Sequence, residues 1–296
     1  MRGARTEQAL ESAIGRDGVV RRGERLLVAC SGGPDSVALA ALLHVLARPM
    51  GLELSLAYVN HGVRRSAWQD ECVVLRIAAG LGLRCEILAL DGAAADENAM
   101  REARYAALAA AARRHGAGAV AAAHHAQDQS ETVLLALLRG AGSNGLAGMR
   151  PRRPLADGVD LVRPLLRQPP ERLREYCHLR ALPYAVDPTN ARLSLRRNAV
   201  RAALEALRPL FPALDEAVAR AAVLVGDERE GSPRAGMRRT IRERLAREAQ
   251  LRDVDFEHVE AAVRTIERGG SGSFHMRAGV RLDVEAGTIA AVEREP

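Results

Sequence analysis

The stretch from Arg25 to Ser36 constrains the fold more than any other part of the chain. It reads RLLVACSGGPDS, so a short apolar run ends abruptly in a glycine-rich turn, and a helical pattern of apolar residues follows at once. Strand, tight loop and helix in this order form the first half of a βαβ unit. We therefore expect a parallel sheet whose ligand site lies beyond the carboxyl ends of its strands.

The loop itself is suited to binding an anion. Gly32 and Gly33 allow a sharp turn and a close approach of a ligand to the backbone. Ser31, Asp35 and Ser36 place polar groups beside the free N–H groups of the helix start, where the helix dipole favours phosphate. The same letters also suit an ordinary turn followed by an N-cap. Two glycines, two serines and an aspartate in one loop favour the anion site.

The absence of lysine limits the chemistry of such a site. All 43 residues counted as Lys+Arg are arginine, so neither a Walker A lysine nor a Schiff-base lysine exists in this sequence. Phosphate must be bound by backbone amides, arginine and a cation. The net charge of +6 fits a nucleic-acid or polyphosphate partner, although ordinary arginine-rich helix surfaces would give the same total. Aromatic residues make up only 3%, which argues against a single-strand binder with many stacking rings.

Cysteine usage and hydropathy indicate the compartment. The cysteines are scattered and contain no Cys-x-x-Cys, which disfavours a zinc knuckle, an iron–sulfur site or a paired redox motif. No segment approaches 18 consecutive apolar residues, the length typical of a membrane span, and the N-terminus has no apolar signal core. We expect a cytoplasmic protein that does not enter a membrane. The cysteines are Cys30, Cys72, Cys85 and Cys177.

The alternation of strands and helices continues along the chain. The predicted fold class is α/β, a Rossmann-like parallel sheet with helices on both faces, followed by a small C-terminal α+β domain. We predict a nucleotide-binding catalytic domain over residues 1–208 and a small domain over 209–296. The charged segment from Gly226 to Gly236 is predicted to be a linker or mobile loop. Further strands are predicted at Glu53–Asn60, Cys85–Leu90, Ala119–Ala123 and, as a brief extended segment, Asp160–Leu166.

Polar residues follow the fourth strand, at the start of a predicted helix. Asp128 and Glu131 are three residues apart before an apolar run, and from this spacing alone a capping box is favoured. A metal site of His124, His125 and Asp128 is a weaker alternative, because adjacent histidines on a strand point opposite ways. Further along, Arg197 and Arg201 have a spacing that suits a solvated helix face better than a phosphate site.

Several motifs together resemble a known family. Ser31–Ser36 resembles the PP-loop of ATP pyrophosphatase-type enzymes. The other motifs are similar to those of tRNA(Ile)-lysidine synthetase, in the family's order from Arg25 to Arg201. They are Val59–Arg64, Arg101–Tyr105, His124–Thr132, Arg139–Gly142, Arg163–Leu166 and Asp187–Asn190 with Arg197–Asn198.

The resemblance implies a two-step reaction. In that family ATP adenylates the C2 carbonyl oxygen of the wobble cytidine in a CAU-anticodon tRNA(Ile), and the ε-amine of free lysine then displaces AMP. It implies ATP and Mg²⁺ as cofactors and tRNA(Ile) and L-lysine as partners, and a homodimer is compatible with it. Alternatives are a PP-loop tRNA thiolase, an amide-forming synthetase such as those making NAD or GMP, and a nucleotide- or RNA-binding protein without catalysis. Thiolases of this kind usually have paired cysteines, which this chain lacks.

The resemblance also implies roles for individual residues. Asp128 and Glu131 would hold the amino groups of lysine, which reverses the preference for capping, although Asp128 fits both roles. His124 and Arg197 would lie near the phosphate and the reacting base, and Asp35 near the phosphates, the lysine or Mg²⁺. The residues assigned to ATP are Ser31, Gly32, Gly33, Pro34, Asp35, Ser36 and Arg104. Two positions depart from the family pattern: Gln127 replaces a usual aspartate, and Pro170 replaces a common lysine.

Overall fold

The structure is a computed structural model, and it describes residues 2–16, 18–60, 67–90, 97–185, 195–249, 256–276 and 279–294. The motif residues 61–64 and the turn predicted at 187–190 lie outside the described residues. Contacts divide the chain into two compact units, Met1–Ala221 and Ala222–Pro296. The domain boundary predicted after residue 208 stays a prediction.

The first unit is built on a six-stranded sheet in the order β3-β2-β1-β4-β6-β5, in which only the β5–β6 pair is antiparallel. Its strands are β1 (Arg25–Ala29), β2 (Glu53–Asn60), β3 (Cys85–Ala89), β4 (Ala119–Ala121), β5 (Arg152–Ala156) and β6 (Val159–Val162). Its helices are α1 (Arg2–Arg16), α2 (Pro34–Met50), α3 (Ala67–Leu81), α4 (Glu97–Arg114), α5 (Ala126–Leu138), α6 (Ser143–Leu146), α7 (Pro170–Leu179) and α8 (Leu195–Leu207).

Helices cover both faces of this sheet, because successive side chains of a strand point to opposite sides. In β1, Leu26 and Val28 pack into a core shared with α1, α2, α3 and α7, whereas Leu27 packs on the other face against α4. Both cores consist mainly of buried aliphatic and alanine side chains, as expected for a parallel sheet covered on both sides. The predicted fold class is confirmed.

The far edge of the sheet differs from the sequence prediction. The extended segment predicted at Asp160–Leu166 is a strand only as far as Val162. It pairs with β5, an antiparallel strand that the sequence analysis did not predict. Its sequence, RRPLA, is polar and contains Pro154, which removes a backbone donor. Such a strand is tolerated at an edge because one side of it needs no ladder.

The second unit is a helical layer with an antiparallel sheet, β7-β8-β9. Helix α9 (Leu214–Glu230) contains the division between the units, and α10 (Pro233–Glu248), α11 (Phe256–Glu267), β7 (Gly272–Met276), β8 (Val280–Glu285) and β9 (Thr288–Arg294) follow. The predicted α+β character is therefore confirmed. The linker predicted at Gly226–Gly236 is wrong, because α9 runs to Glu230 and α10 begins at Pro233. Ser232 caps α10 by accepting the Ala235 N–H (3.2 Å).

The sequence predicts that the chain does not enter a membrane, because it has no long apolar segment. Among the helices that the structure describes, none is both long enough and apolar enough to span a bilayer.

Candidate active site

The loop between β1 and α2 is fixed by its own serines. The Ser36 hydroxyl donates to the Gly33 carbonyl oxygen (2.9 Å) and accepts the Ser31 N–H (3.1 Å). The Ser31 and Ser36 hydroxyl oxygens are 3.2 Å apart. Gly33 is the N-cap of α2 and supplies no capping side chain, so the first N–H groups of this helix have no acceptor within the helix. The loop thus presents a preformed helix N-terminus of the kind that binds phosphate.

Only one of the two loop glycines has a conformation that requires glycine. Gly32 has φ +84°, and a Cβ there would lie 3.1 Å from the carbonyl oxygen of Asp70 on α3. Its own carbonyl oxygen accepts the Ala185 N–H at 2.8 Å. Gly33 has φ −73°, and a Cβ there would meet only the Ser31 hydroxyl oxygen, at 3.6 Å.

The two glycines therefore form a matched pair of variants. Gly32→Ala is expected to lower the free energy of unfolding by about 1–2 kcal/mol, because alanine is strained at positive φ and contacts the α3 backbone. Gly33→Ala is expected to change it by less than about 0.5 kcal/mol. Urea unfolding of both variants measures the difference. Equal stabilities would contradict the described loop conformation.

A cavity of about 240 Å³ opens beside this loop, beyond the carboxyl ends of β1, β2 and β4. Six of the predicted site residues line it: Ser31, Gly33, Asp35, Ser36, Arg104 and His124. Gly32 and Pro34, also assigned to ATP, are not among its lining residues, and neither are Asp128, Glu131 and Arg197. The remaining walls are apolar or small side chains, including Ala57, Val59, Tyr105 and Leu108.

His125 connects the loop with the start of α5. Its Nε2 atom lies 3.7 Å from Asp35 Oδ2 and 3.5 Å from Asp128 Oδ2. Burial raises the pKa of Asp35, and the neighbouring His125 acts against this. From the sequence alone, His125 is only a weak candidate metal ligand. Its role as a bridge between two carboxylates depends on how α5 packs beside α2, which the spacing of the sequence does not reveal.

Asp128 caps α5, but not in the predicted way. The helix begins at Ala126 with His125 as N-cap, and Asp128 Oδ2 accepts the His125 N–H at 3.0 Å. The predicted capping box with Asp128 as N-cap and Glu131 as its partner is therefore wrong by three residues. The other Asp128 oxygen lies 4.0 Å from Arg197 Nη2, so this carboxylate faces both the cap and the arginines of α8.

Glu131 is the centre of a buried ion cluster. Its side chain is only 3% exposed, and its two oxygens accept Arg197 Nε (2.9 Å) and Arg201 Nε (2.7 Å). Burial raises the pKa of Glu131, but the hydrogen bonds from Arg201 and Arg197 outweigh this and leave it lowered. The solvated face expected for the two arginines is therefore wrong. The contact of Glu131 with a lysine substrate stays a prediction.

His124 follows β4 and lines the cavity. Its Nδ1 atom is buried and has no hydrogen-bond partner. Burial lowers the pKa of His124 well below its usual value, and the charges of Arg163, Arg101 and Arg104 lower it further. The imidazole is therefore neutral at neutral pH, with one donor and one acceptor nitrogen.

A Mg²⁺ ion fits this site at Asp35. Within the described residues no group of three His, Cys, Asp or Glu side chains forms a metal cage. Mg²⁺ in nucleotide sites is typically held by one or two carboxylates together with the phosphates of the substrate. The Asp35 Oδ1 atom is buried without a hydrogen-bond partner and lines the cavity, so it can supply such a ligand.

The two positions that depart from the family pattern lie close to each other. Gln127 Nε2 donates to Glu171 Oε1 (3.2 Å), and Glu171 follows Pro170, the first residue of α7. An aspartate at 127 would face the carboxylate of Glu171. The glutamine instead donates a hydrogen bond between the starts of α5 and α7.

These features define a nucleotide-binding protein of the PP-loop class, and the profile of the PP-loop domain family matches residues 4–207. The tRNA(Ile)-lysidine synthase of Salinispora tropica is 37% identical over 302 residues, which cover 90% of each chain. The chain belongs to the tRNA(Ile)-lysidine synthase family. The synthase of Alkalilimnicola ehrlichii is 42% identical over 227 residues, 74% of this chain and 49% of that protein.

The chain spans about half the length of several curated relatives that it matches, 48% in the Dehalococcoides mccartyi synthase. Among solved structures, the U34-tRNA thiolase NcsA from Methanococcus maripaludis matches with a TM-score of 0.63 at 17% identity, covering 74% of this chain and 77% of that chain. At this identity the match shows a common fold and nothing about the reaction.

Proposed function

We propose that this protein uses ATP to attach lysine to C2 of the wobble cytidine in a CAU-anticodon tRNA(Ile). One observation carries the proposal. The Nε2 atom of His125 lies 3.7 Å from Asp35, in the loop between β1 and α2 (the nucleotide loop), and 3.5 Å from Asp128, at the start of α5. This places the residue proposed to act at the phosphates beside the residue proposed to bind the amine, in a chain of the lysidine synthase family.

In the first step, the C2 carbonyl oxygen of the cytidine attacks the α-phosphorus of ATP, and pyrophosphate leaves. The carbonyl oxygen becomes a good leaving group only when it carries AMP. The α2 N-terminus and Arg104 would bind the phosphates. Asp35 would hold a Mg²⁺ ion, whose charge offsets that of the pyrophosphate.

In the second step, the ε-amine of lysine attacks C2, and AMP leaves with the oxygen. Asp128 is the proposed contact for a lysine amino group, because its Oδ1 atom faces the cluster and its side chain is 20% exposed. Neutral His124 has a nitrogen that can accept a proton beside the reacting base. Each Glu131 oxygen already accepts one arginine N–H and the side chain is only 3% exposed, so a lysine amino group would have to share these oxygens with Arg197 and Arg201.

The test is incorporation of radiolabelled lysine into RNA. We expect label in a CAU transcript of tRNA(Ile), dependent on ATP and accompanied by one AMP and one pyrophosphate per lysine. A matched GAU transcript is the control and should remain unlabelled. No pyrophosphate release and no label with the CAU transcript would refute the proposal. The cytoplasmic location and a homodimeric assembly stay predictions from the sequence.

A further inference from the structure

Three arginines surround the ring of Tyr105, a buried residue of α4. The guanidinium carbons of Arg101 and Arg104, both on α4, each lie 5.1 Å from the ring centroid. Arg153 of β5 contributes a third, at 5.7 Å. A guanidinium over an aromatic ring is attracted by the negative face of the ring. Three such cations around one ring also repel each other, so the arrangement needs a further source of stability.

A fourth arginine of this cluster is buried. Arg163 follows β6, its side chain is 2% exposed, and its Nη1 donates to the Arg150 carbonyl oxygen (2.6 Å). Its Nε has no hydrogen-bond partner. Burial lowers the pKa of Arg163 to about 10, which still leaves it protonated at neutral pH. A buried, charged guanidinium normally has a carboxylate partner, because an unpaired buried charge is costly.

The protein supplies no such partner in its described parts. Among those residues, no carboxylate forms a salt bridge with Arg101, Arg104, Arg153 or Arg163. The neighbouring Arg152 behaves differently, because it binds both Glu24 (2.6 Å) and Asp160 (2.7 Å). The lack of carboxylates is therefore a property of this cluster and not of the arginines of β5 in general.

We propose that Arg101, Arg104, Arg153 and Arg163, arranged around Tyr105, form an anion site for a phosphate group of a substrate. Arg104 and Tyr105 also line the cavity beside the loop, so the site adjoins the nucleotide site. Only Arg104 was assigned to a phosphate ligand by the family resemblance. The identity of the ligand rests on the proposed function, which offers two sources: a phosphodiester of the RNA and the pyrophosphate part of ATP.

The variant Arg153→Ala tests the site, because Arg153 lies on an edge strand and its removal creates no buried cavity. The control is Arg113→Ala, which removes an exposed arginine from the end of α4. Binding of the CAU transcript is measured between about 50 and 200 mM salt, and binding of inorganic pyrophosphate by calorimetry. We expect Arg153→Ala to weaken the binding of one of these ligands about 10-fold, which is the effect of losing one charge-assisted hydrogen bond.

Measuring the binding of the two ligands separately distinguishes the two sources of the phosphate group. Weaker RNA binding, with the slope of log K against log[salt] reduced in magnitude by about 1, assigns the site to the RNA backbone. Weaker pyrophosphate binding assigns it to ATP. Unchanged binding of both ligands, or an equal loss in Arg113→Ala, overturns the proposal. The pyrophosphate measurement needs neither lysine nor RNA. If the wild-type protein fails to transfer lysine, the proposed function is refuted. If Arg153→Ala nevertheless weakens pyrophosphate binding, the anion site is retained.

Discussion

Replacing Asp128 with asparagine is expected to reduce lysine transfer about 100-fold, equivalent to about 2.7 kcal/mol of transition-state stabilisation. The asparagine keeps an oxygen that can accept the His125 N–H, so the cap of α5 is retained. What it removes is the negative charge proposed to attract a lysine amino group. Transfer of radiolabelled lysine to tRNA that already carries AMP measures this step alone, and pyrophosphate release measures the preceding one.

The alanine variant separates the two roles of Asp128. Asp128→Ala loses the charge and the cap together, so it is expected to unfold about 1 kcal/mol more easily than Asp128→Asn, while lysine transfer is equally impaired. Pyrophosphate release should persist in both variants. Lysine transfer close to the wild-type rate in Asp128→Asn would show that Asp128 is only a capping residue, the role that the sequence spacing favours.

The nucleotide loop could be predicted from the sequence because every part of its signal is local. An apolar strand, two glycines and a helical pattern follow one another between Arg25 and Leu43, and periodicity together with backbone sterics is enough to interpret them. The alternation of strands and helices fixes the parallel sheet in the same way. The loop and the strand ends must then lie at one edge, as the cavity beside Ser31 and His124 confirms.

The charge cluster could not be predicted from spacing, because it depends on contacts between distant segments. Glu131 lies 66 residues before Arg197 and 70 before Arg201, and no helical period connects them. The capping prediction failed for a related reason. Whether α5 begins at Ala126 or three residues later depends on the Gln168 carbonyl oxygen, a group distant in the sequence, which accepts the Ala126 N–H at 3.0 Å.

Replacing Glu131 with glutamine is expected to lower the free energy of unfolding by about 2–3 kcal/mol. Losing one partner of a buried ion pair costs about 3–5 kcal/mol, and the lower value applies because Arg197 and Arg201 retain 23% and 34% exposure and can partly rehydrate. Glu205→Gln is the control, since it removes an exposed glutamate from α8, the helix that carries both arginines. Urea unfolding at neutral pH measures both variants.

The pH dependence of stability tests the same cluster without relying on one substitution. The pKa of Glu131 is lowered from the ordinary value of 4.5, so its stabilising contribution is present above that pH and is lost as the pH falls through the folded-state pKa. The stability difference between wild type and Glu131→Gln should therefore shrink on acidification below about pH 4.5. A constant difference would mean that glutamine acts through packing. A small difference at neutral pH would contradict the expected stabilisation of the fold by these two ion pairs.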